Sequence, residues 1–256
     1  MTDPPRYGLF VVGTDTDVGK TAVAVAILRG LVAAGRRVAA YKPVASGIAA
    51  ASEPGGDPAR LWEAAGRTGA IGSVCPQCFK PPLAPPRAAR AAGRVVDEPL
   101  LRTGLAVWRD HELAVVEGAG GLFSPLAAAT LGADLAREFG YPLVVVDSAR
   151  LGAIGRTLAT VRAARAAGLT VAACVLSQVA PPRGGPDDPA GDAAIAAANT
   201  DDLGALLADV PVTLLSHGAT GFAPPLDWWS LAGGPASRSS VTHPGAGPPP
   251  PRPAAG

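Results

Sequence analysis

Six short apolar runs punctuate the chain: 8–12 (GLFVV), 37–44 (RVAAYKPV), 113–117 (LAVVE), 142–147 (PLVVVD), 170–176 (TVAACVL) and 210–215 (VPVTLL). None alternates apolar with polar residues, so each predicts a strand covered on both faces and not a half-exposed one. Between them, Ala-rich stretches at 21–34, 57–65, 129–139 and 153–167 predict helices. Strand and helix in alternation predict an α/β fold: one doubly wound, mostly parallel sheet with helices on both faces. Ligands of such sheets bind beyond the carboxyl ends of the strands, so candidate chemistry is sought there. No internal repeat is present.

Composition narrows this picture. The chain is 48% hydrophobic and 17% charged with a formal net charge of +1, a globular balance that offers no field for nucleic acid or an anionic membrane. From Gly233 onward it reads GGPASRSSVTHPGAGPPPPRPAAG, which cannot supply a core. A folded domain over 1–232 and an unstructured Pro/Gly-rich tail over 233–256 are therefore expected. No basic stretch precedes an apolar core at the N-terminus and no run of about 18 apolar residues occurs, so a soluble, cytoplasmic protein is expected. Three cysteines cannot build a disulfide framework. Cys75 and Cys78 form a CxxC, but no second pair or histidine cluster follows to complete a zinc site, and a metal or redox role is not expected. The basic residues are lopsided: only Lys20, Lys42 and Lys80 are lysine, the rest arginine. Lysine in such a chain marks places that need a compact ammonium.

Two of the three lie in motifs. The first strand runs into Gly13-Thr14-Asp15-Thr16-Asp17-Val18-Gly19-Lys20-Thr21 and then into an apolar helix. Strand, glycine-bounded loop and GKT at a helix start make a phosphate-binding loop: backbone N–H groups and the helix N-terminus face an anion, Lys20 reaches the terminal phosphates, and Thr21 offers a hydroxyl to Mg²⁺. Five residues separate Gly13 from Gly19 where the strict pattern has four. The third strand ends in Glu117, followed by Gly118-Ala119-Gly120-Gly121, the layout that places an acid near Mg²⁺. Asp57 precedes Pro58 at a helix start, and either an N-cap or a metal-binding acid accounts for it. Tyr41-Lys42-Pro43-Val44-Ala45-Ser46-Gly47 puts a second lysine at a strand's carboxyl end, where it can bridge a substrate oxyanion and a moving phosphoryl group.

Together and in this order, GTDTDVGKT, YKPVASG and VVEGAGG resemble the dethiobiotin synthetase family, over roughly residues 7–230. PPLAPP (81–86) and LGAIGRTLATVRAARAAGL (151–169) resemble further family segments. The resemblance implies a P-loop NTPase-type, homodimeric ligase that uses MgATP, CO₂ and 7,8-diaminononanoate to make dethiobiotin. It implies catalytic roles for Lys20 and Lys42. Nucleotide contacts fall on Asp17, Val18, Gly19, Lys20, Thr21, Ala22, Asp57, Glu117, Gly118, Ala119, Gly120, Ser177 and Gln178. Substrate contacts fall on Thr16, Lys42 and Ser46, and Mg²⁺ ligation on Thr21, Asp57 and Glu117. Ser177 stands where the family usually has an adenine-contacting asparagine, which implies a looser preference for ATP. The family's later nucleotide-contacting segment aligns near Ser216-His217-Gly218, and Gly155-Arg156 replace a more usual Asn-His. A switch ATPase of the partitioning or division-site type shares the fold, but would carry lysine where this chain has Thr14. Amidating synthases of corrin chemistry would need a glutaminase domain for which 256 residues leave no room.

Overall fold

The computed structural model describes residues 3–185, 188 and 190–235, so the tail expected from 233 lies outside the described residues from 236 on. The chain begins with β1 (Tyr7–Gly13), α1 (Lys20–Ala33) and β2 (Val38–Tyr41). A smaller unit follows: β3 (Ala45–Ser46), α2 (Asp57–Ala64), α3 (Ile71–Val74), β4 (Cys78–Phe79), α4 (Pro85–Ala91) and α5 (Glu98–Thr103), then a 3₁₀ turn over Gly104–Trp108. The remainder alternates as β5 (Leu113–Gly121), α6 (Gly132–Phe139), β6 (Leu143–Ser148), α7 (Ala153–Ala166), β7 (Val171–Ser177), α8 (Asp192–Leu206) and β8 (Val212–Leu215), ending in α9 (Trp228–Leu231).

Six of the strands form one sheet in the order β2-β5-β1-β6-β7-β8, and every pairing in it is parallel. The six apolar runs are these six strands. Their continuous hydrophobicity has a direct cause: Leu9, Phe10 and Val11 of β1, Leu113 to Val116 of β5 and Leu143 to Val146 of β6 are all closed to solvent, because both sheet faces are covered. The chain leaves β1 toward the β2 edge, returns through β5, and then builds β6, β7 and β8 on the other side. Strand order thus reverses around β1, and the crevice at its carboxyl end lies at the switch point. β3 and β4 form a separate two-stranded parallel pair, Ala45 opposite Cys78 and Ser46 opposite Phe79.

Three expectations shift. The third strand does not stop at Glu117: β5 continues through Gly118, Ala119 and Gly120 to Gly121, which puts Glu117 at its middle. The helix expected over 129–139 begins at Gly132, where the Asp134 carboxylate accepts from the Leu131 N–H at 3.0 Å. At α2 the N-cap is Gly56, not Asp57: no side chain caps the helix, and Asp57 is its first residue. The carboxylate of Asp57 is therefore left for other work.

β1 also shows how tightly the layers meet. A Cβ on Gly8 would lie 2.5 Å from the ring of Tyr141, whose hydroxyl donates to the Pro5 carbonyl and cannot swing aside without losing that bond. Gly8→Ala is expected to cost about 1–3 kcal/mol by overpacking. Gly30→Ala, inside α1 with open space around it, is expected to gain about 0.5–1 kcal/mol. Urea denaturation of the two variants checks the pair; equal midpoints would contradict the packing argument.

Candidate functional site

A cavity of about 860 Å³ opens at the carboxyl edge of the sheet. Its floor begins in the loop after β1. Gly19 takes the left-handed conformation at φ 96° and serves as N-cap of α1, and Asp17 turns the chain before it at φ 55°. The loop closes so tightly over Gly13 that a Cβ there would meet the Asp15 carbonyl at 2.4 Å. The extra residue of the loop is taken up in this arc, and Lys20 Nζ donates to the Asp15 carbonyl at 2.8 Å. Lys20 is buried; desolvation draws its ammonium below the ordinary lysine range, against the pull of Glu117. A buried cation held by one carbonyl is a poor resting state and a strong anion receptor.

Register brings the second half of the site to it. In β5, Val116 lies opposite Tyr41 of β2 and Glu117 lies opposite Val11 of β1. Glu117 therefore stands between Lys42, one step beyond β2, and Thr21, in the first turn of the helix that follows β1. Glu117 is 1% exposed, and its Oε1 accepts from Thr21 Oγ1 at 2.9 Å and from Lys42 Nζ. Lys42 Nζ also donates to Asp57 Oδ2 at 3.0 Å. Burial pulls Lys42 down, but Glu117 and then Asp57 outweigh it and hold the ammonium above its ordinary range. Asp57 is penalised by burial as well, yet the charge of Lys42 carries its carboxyl below the usual value. The capping reading of Asp57 gives way: its carboxylate is an ion-pair partner of Lys42.

Glu117 Oε2 is buried without a hydrogen-bond partner. An orphaned carboxylate oxygen beside a threonine hydroxyl and a second carboxylate is a hard oxygen donor set, and Thr21, Glu117 and Asp57 fit Mg²⁺. The Lys42 ammonium bonds the same two acids.

Of the residues singled out in the sequence, Thr16, Asp17, Gly19, Lys20, Thr21, Ala22, Lys42, Ser46, Asp57, Glu117, Ala119, Gly120, Ser177 and Gln178 line the one cavity. Val18 and Gly118 do not. The Val18 side chain is in the core, leaving its backbone as its only means of contact, and Gly118 lies against the Phe10 ring, 3.2 Å from where its Cβ would be. Ser177 faces the loop: its Oγ would stand 2.4 Å from a Cβ on Gly19, so the serine packs under the phosphate loop and has little reach beyond it. The Ser216–Gly218 segment joins the lining, continued by Ala219 and Thr220. Arg29 and Arg60 also line it and were not anticipated. Their signal was positional. Arg29 continues the line Thr21, Val25, Arg29 at four-residue steps on α1, and Arg60 lies three residues beyond Asp57 on α2. Arg156, by contrast, is not among the residues lining this cavity and holds the fully buried Asp147 through Nε at 3.0 and 3.2 Å.

Lys42→Met is expected to lower stability by about 3 kcal/mol, because two acids lose their shared cation. Millimolar Mg²⁺ should then raise the melting temperature of the variant more than that of the parent, where the ammonium competes. Thermal melts with and without Mg²⁺ check this; an identical metal response would contradict the shared-acid geometry.

A family model described as an AAA domain matches residues 7–217. ATP-dependent dethiobiotin synthetase BioD of Rhodopirellula baltica is 41% identical over 184 residues, covering 66% of this chain and 72% of that protein. The protein of the same description from Anaeromyxobacter dehalogenans is 45% identical over 183 residues, covering 71% of this chain and 79% of its own. That from Caulobacter vibrioides is 42% identical over 173 residues, covering 66% and 79%.

Proposed function

The chain belongs to the dethiobiotin synthetase family of ATP-dependent ligases in biotin biosynthesis, and we propose that it carboxylates 7,8-diaminononanoate with CO₂ and closes the ring to dethiobiotin, converting ATP to ADP and phosphate. The observation that carries this reading is the cluster of Lys20, Thr21, Lys42, Asp57 and Glu117 on one cavity wall.

In the proposed reaction one substrate amine captures CO₂ as a carbamate. A carbamate oxygen attacks the γ-phosphorus, and the resulting carbamic-phosphoric anhydride is opened by the neighbouring amine, which forms the cyclic urea and expels phosphate. No side chain needs to become covalently attached; the protein positions reactants and offsets charge. The N–H groups of the loop over Asp17–Ala22 and the start of α1 cradle the phosphates, with Lys20 on the terminal oxygens. Mg²⁺, held by Thr21, Asp57 and Glu117, would supply further positive charge there. Lys42, bonded to both Asp57 and Glu117, lines the same cavity as Ser46, which suits an ammonium that leaves its carboxylates for the carbamate as the phosphoryl group moves. Thr16 and Ser46 offer hydroxyls on the substrate side, and Ala119, Gly120, Ser177 and Gln178 complete the proposed nucleotide contacts, with Gly118 outside the cavity. We place the protein in the cytoplasm as a homodimer. A folded ligase domain over 1–232, with the tail outside the chemistry, belongs to the same proposal.

Phosphate release should require both bicarbonate and the diamine. Lys20→Ala and Lys42→Ala are each expected to lower kcat/KM by about 10²–10³-fold. Lys42→Arg should be nearly as damaging as Lys42→Ala, since a planar fork cannot replace a point charge among these groups. Phosphate release indifferent to the diamine would instead favour a switch ATPase. With a serine tucked under Gly19 in place of a base-reaching amide, GTP and CTP should support the reaction measurably. Their full rejection in competition with ATP would contradict that expectation.

A further inference from the structure

We infer that Cys75 and Cys78 form a reversible dithiol–disulfide site tied to the segment that carries Lys42 and Ser46. The two thiols share a hydrogen bond with their sulfurs 3.6 Å apart, and both are free. Sulfurs at this separation are within side-chain rotation and small backbone adjustment of the ~2.05 Å of a disulfide. They are also unlike each other. Cys75 is buried, its sulfur 3.4 Å from the Gln77 carbonyl, whereas Cys78 is partly open to solvent. The hydrogen bond between the two sulfurs, and then Lys42 and Arg94, draw the Cys78 thiol below its ordinary range; the same bond and burial push Cys75 up. An accessible thiol of thiolate character beside a protected one is the arrangement of an attacking and a resolving cysteine.

The location gives the pair its consequence. Residues 74–81 are stitched to 42–47 by backbone bonds: Lys42 N–H to the Val74 carbonyl at 2.7 Å, Ala45 N–H to Gln77 at 2.9 Å and Gly47 N–H to Pro81 at 3.2 Å. Cys78 itself lies opposite Ala45 in the β3–β4 pair. A Cys75–Cys78 bridge closes inside the chain that supplies these acceptors, so its formation is felt by the Lys42–Gly47 segment through these bonds.

The oxidant is a low-molecular-weight disulfide. The Cys78 thiolate attacks one of its sulfurs, forming a mixed disulfide and releasing one thiolate. Cys75, giving its proton to solvent, then displaces the second. Two protein thiols lose two electrons and two protons in all, and the reagent leaves as two thiols.

The full chain is equilibrated in glutathione buffers from reducing to oxidising, alkylated with iodoacetamide and read by mass spectrometry and amide hydrogen exchange. Cys75 and Cys78 should lose alkylation together, in a peptide lighter by two hydrogens. Exchange at the Lys42, Ala45 and Gly47 amides should accelerate by about threefold or more and return with dithiothreitol. Cys75→Ser should stop at a glutathione adduct on Cys78, and Cys78→Ser should leave Cys75 unmodified in the native state. These readouts are independent of catalysis. Alkylation of both thiols at the most oxidising ratio, glutathione captured by Cys75 in place of Cys78, or a disulfide that leaves the three amides unchanged would each overturn the inference.

Discussion

The buried carboxylate of Glu117 is the interaction on which the arrangement of the site depends. A carboxylate closed to solvent in the middle of a central strand must be neutralised, and one oxygen takes both the Thr21 hydroxyl and the Lys42 ammonium while the other takes nothing. The satisfied oxygen ties the phosphate loop to the second strand. The unsatisfied one keeps a place for a cation. Asp57 extends the pair into a triad that straddles the cavity wall, and Lys42, held by two acids, is fixed in position before any ligand arrives.

Sheet order brings this about. β5 inserts between β1 and β2, so an acid at its middle, near the last residues of both neighbours, faces the lysine after one and the threonine after the other. Sequence separations of 96 residues from Thr21 and 75 from Lys42 collapse to hydrogen-bond distance through strand pairing alone. Register matters for the acid more than for the core, since a one-residue slip of β5 would leave its apolar residues buried but turn Glu117 to the other face of the sheet. The geometry of the candidate site is thus set by the pairing of β5 with both neighbours.

What could be read from the sequence follows from this. The six strands were visible because burial on both faces writes them as unbroken apolar runs, and the phosphate loop because its chemistry is local and contiguous. α8 was not, since its Ala-rich run carries Asn199 and Thr200 and offers no clear apolar stripe; Asn199 is nonetheless buried and donates to the Arg150 carbonyl at 3.1 Å. The β3–β4 pair escaped because two-residue strands have no period. Asp57 was ambiguous for a different reason: a helix-start aspartate before proline looks the same whether it caps or faces across to another element, and only the position of Lys42 separates the two. Arg29 and Arg60 were hidden among many surface arginines, and only the helix faces they share with Thr21 and Asp57 distinguish them.

The lysines make the opposite case. Arginine supplies nearly every cation of this chain, and the three exceptions divide by environment: Lys80 is exposed, while Lys20 and Lys42 are 8% and 5% exposed. A guanidinium presents its donors in a planar fork suited to a single carboxylate, whereas Lys42 must bond Asp57 and Glu117 from two directions with a small, rotatable head. Lys20 has a narrower constraint, because a Cβ on Gly13 would stand only 2.9 Å from its Nζ and leaves no room for a broader group. Shape at two crowded points, and not charge, is why this chain keeps lysine there.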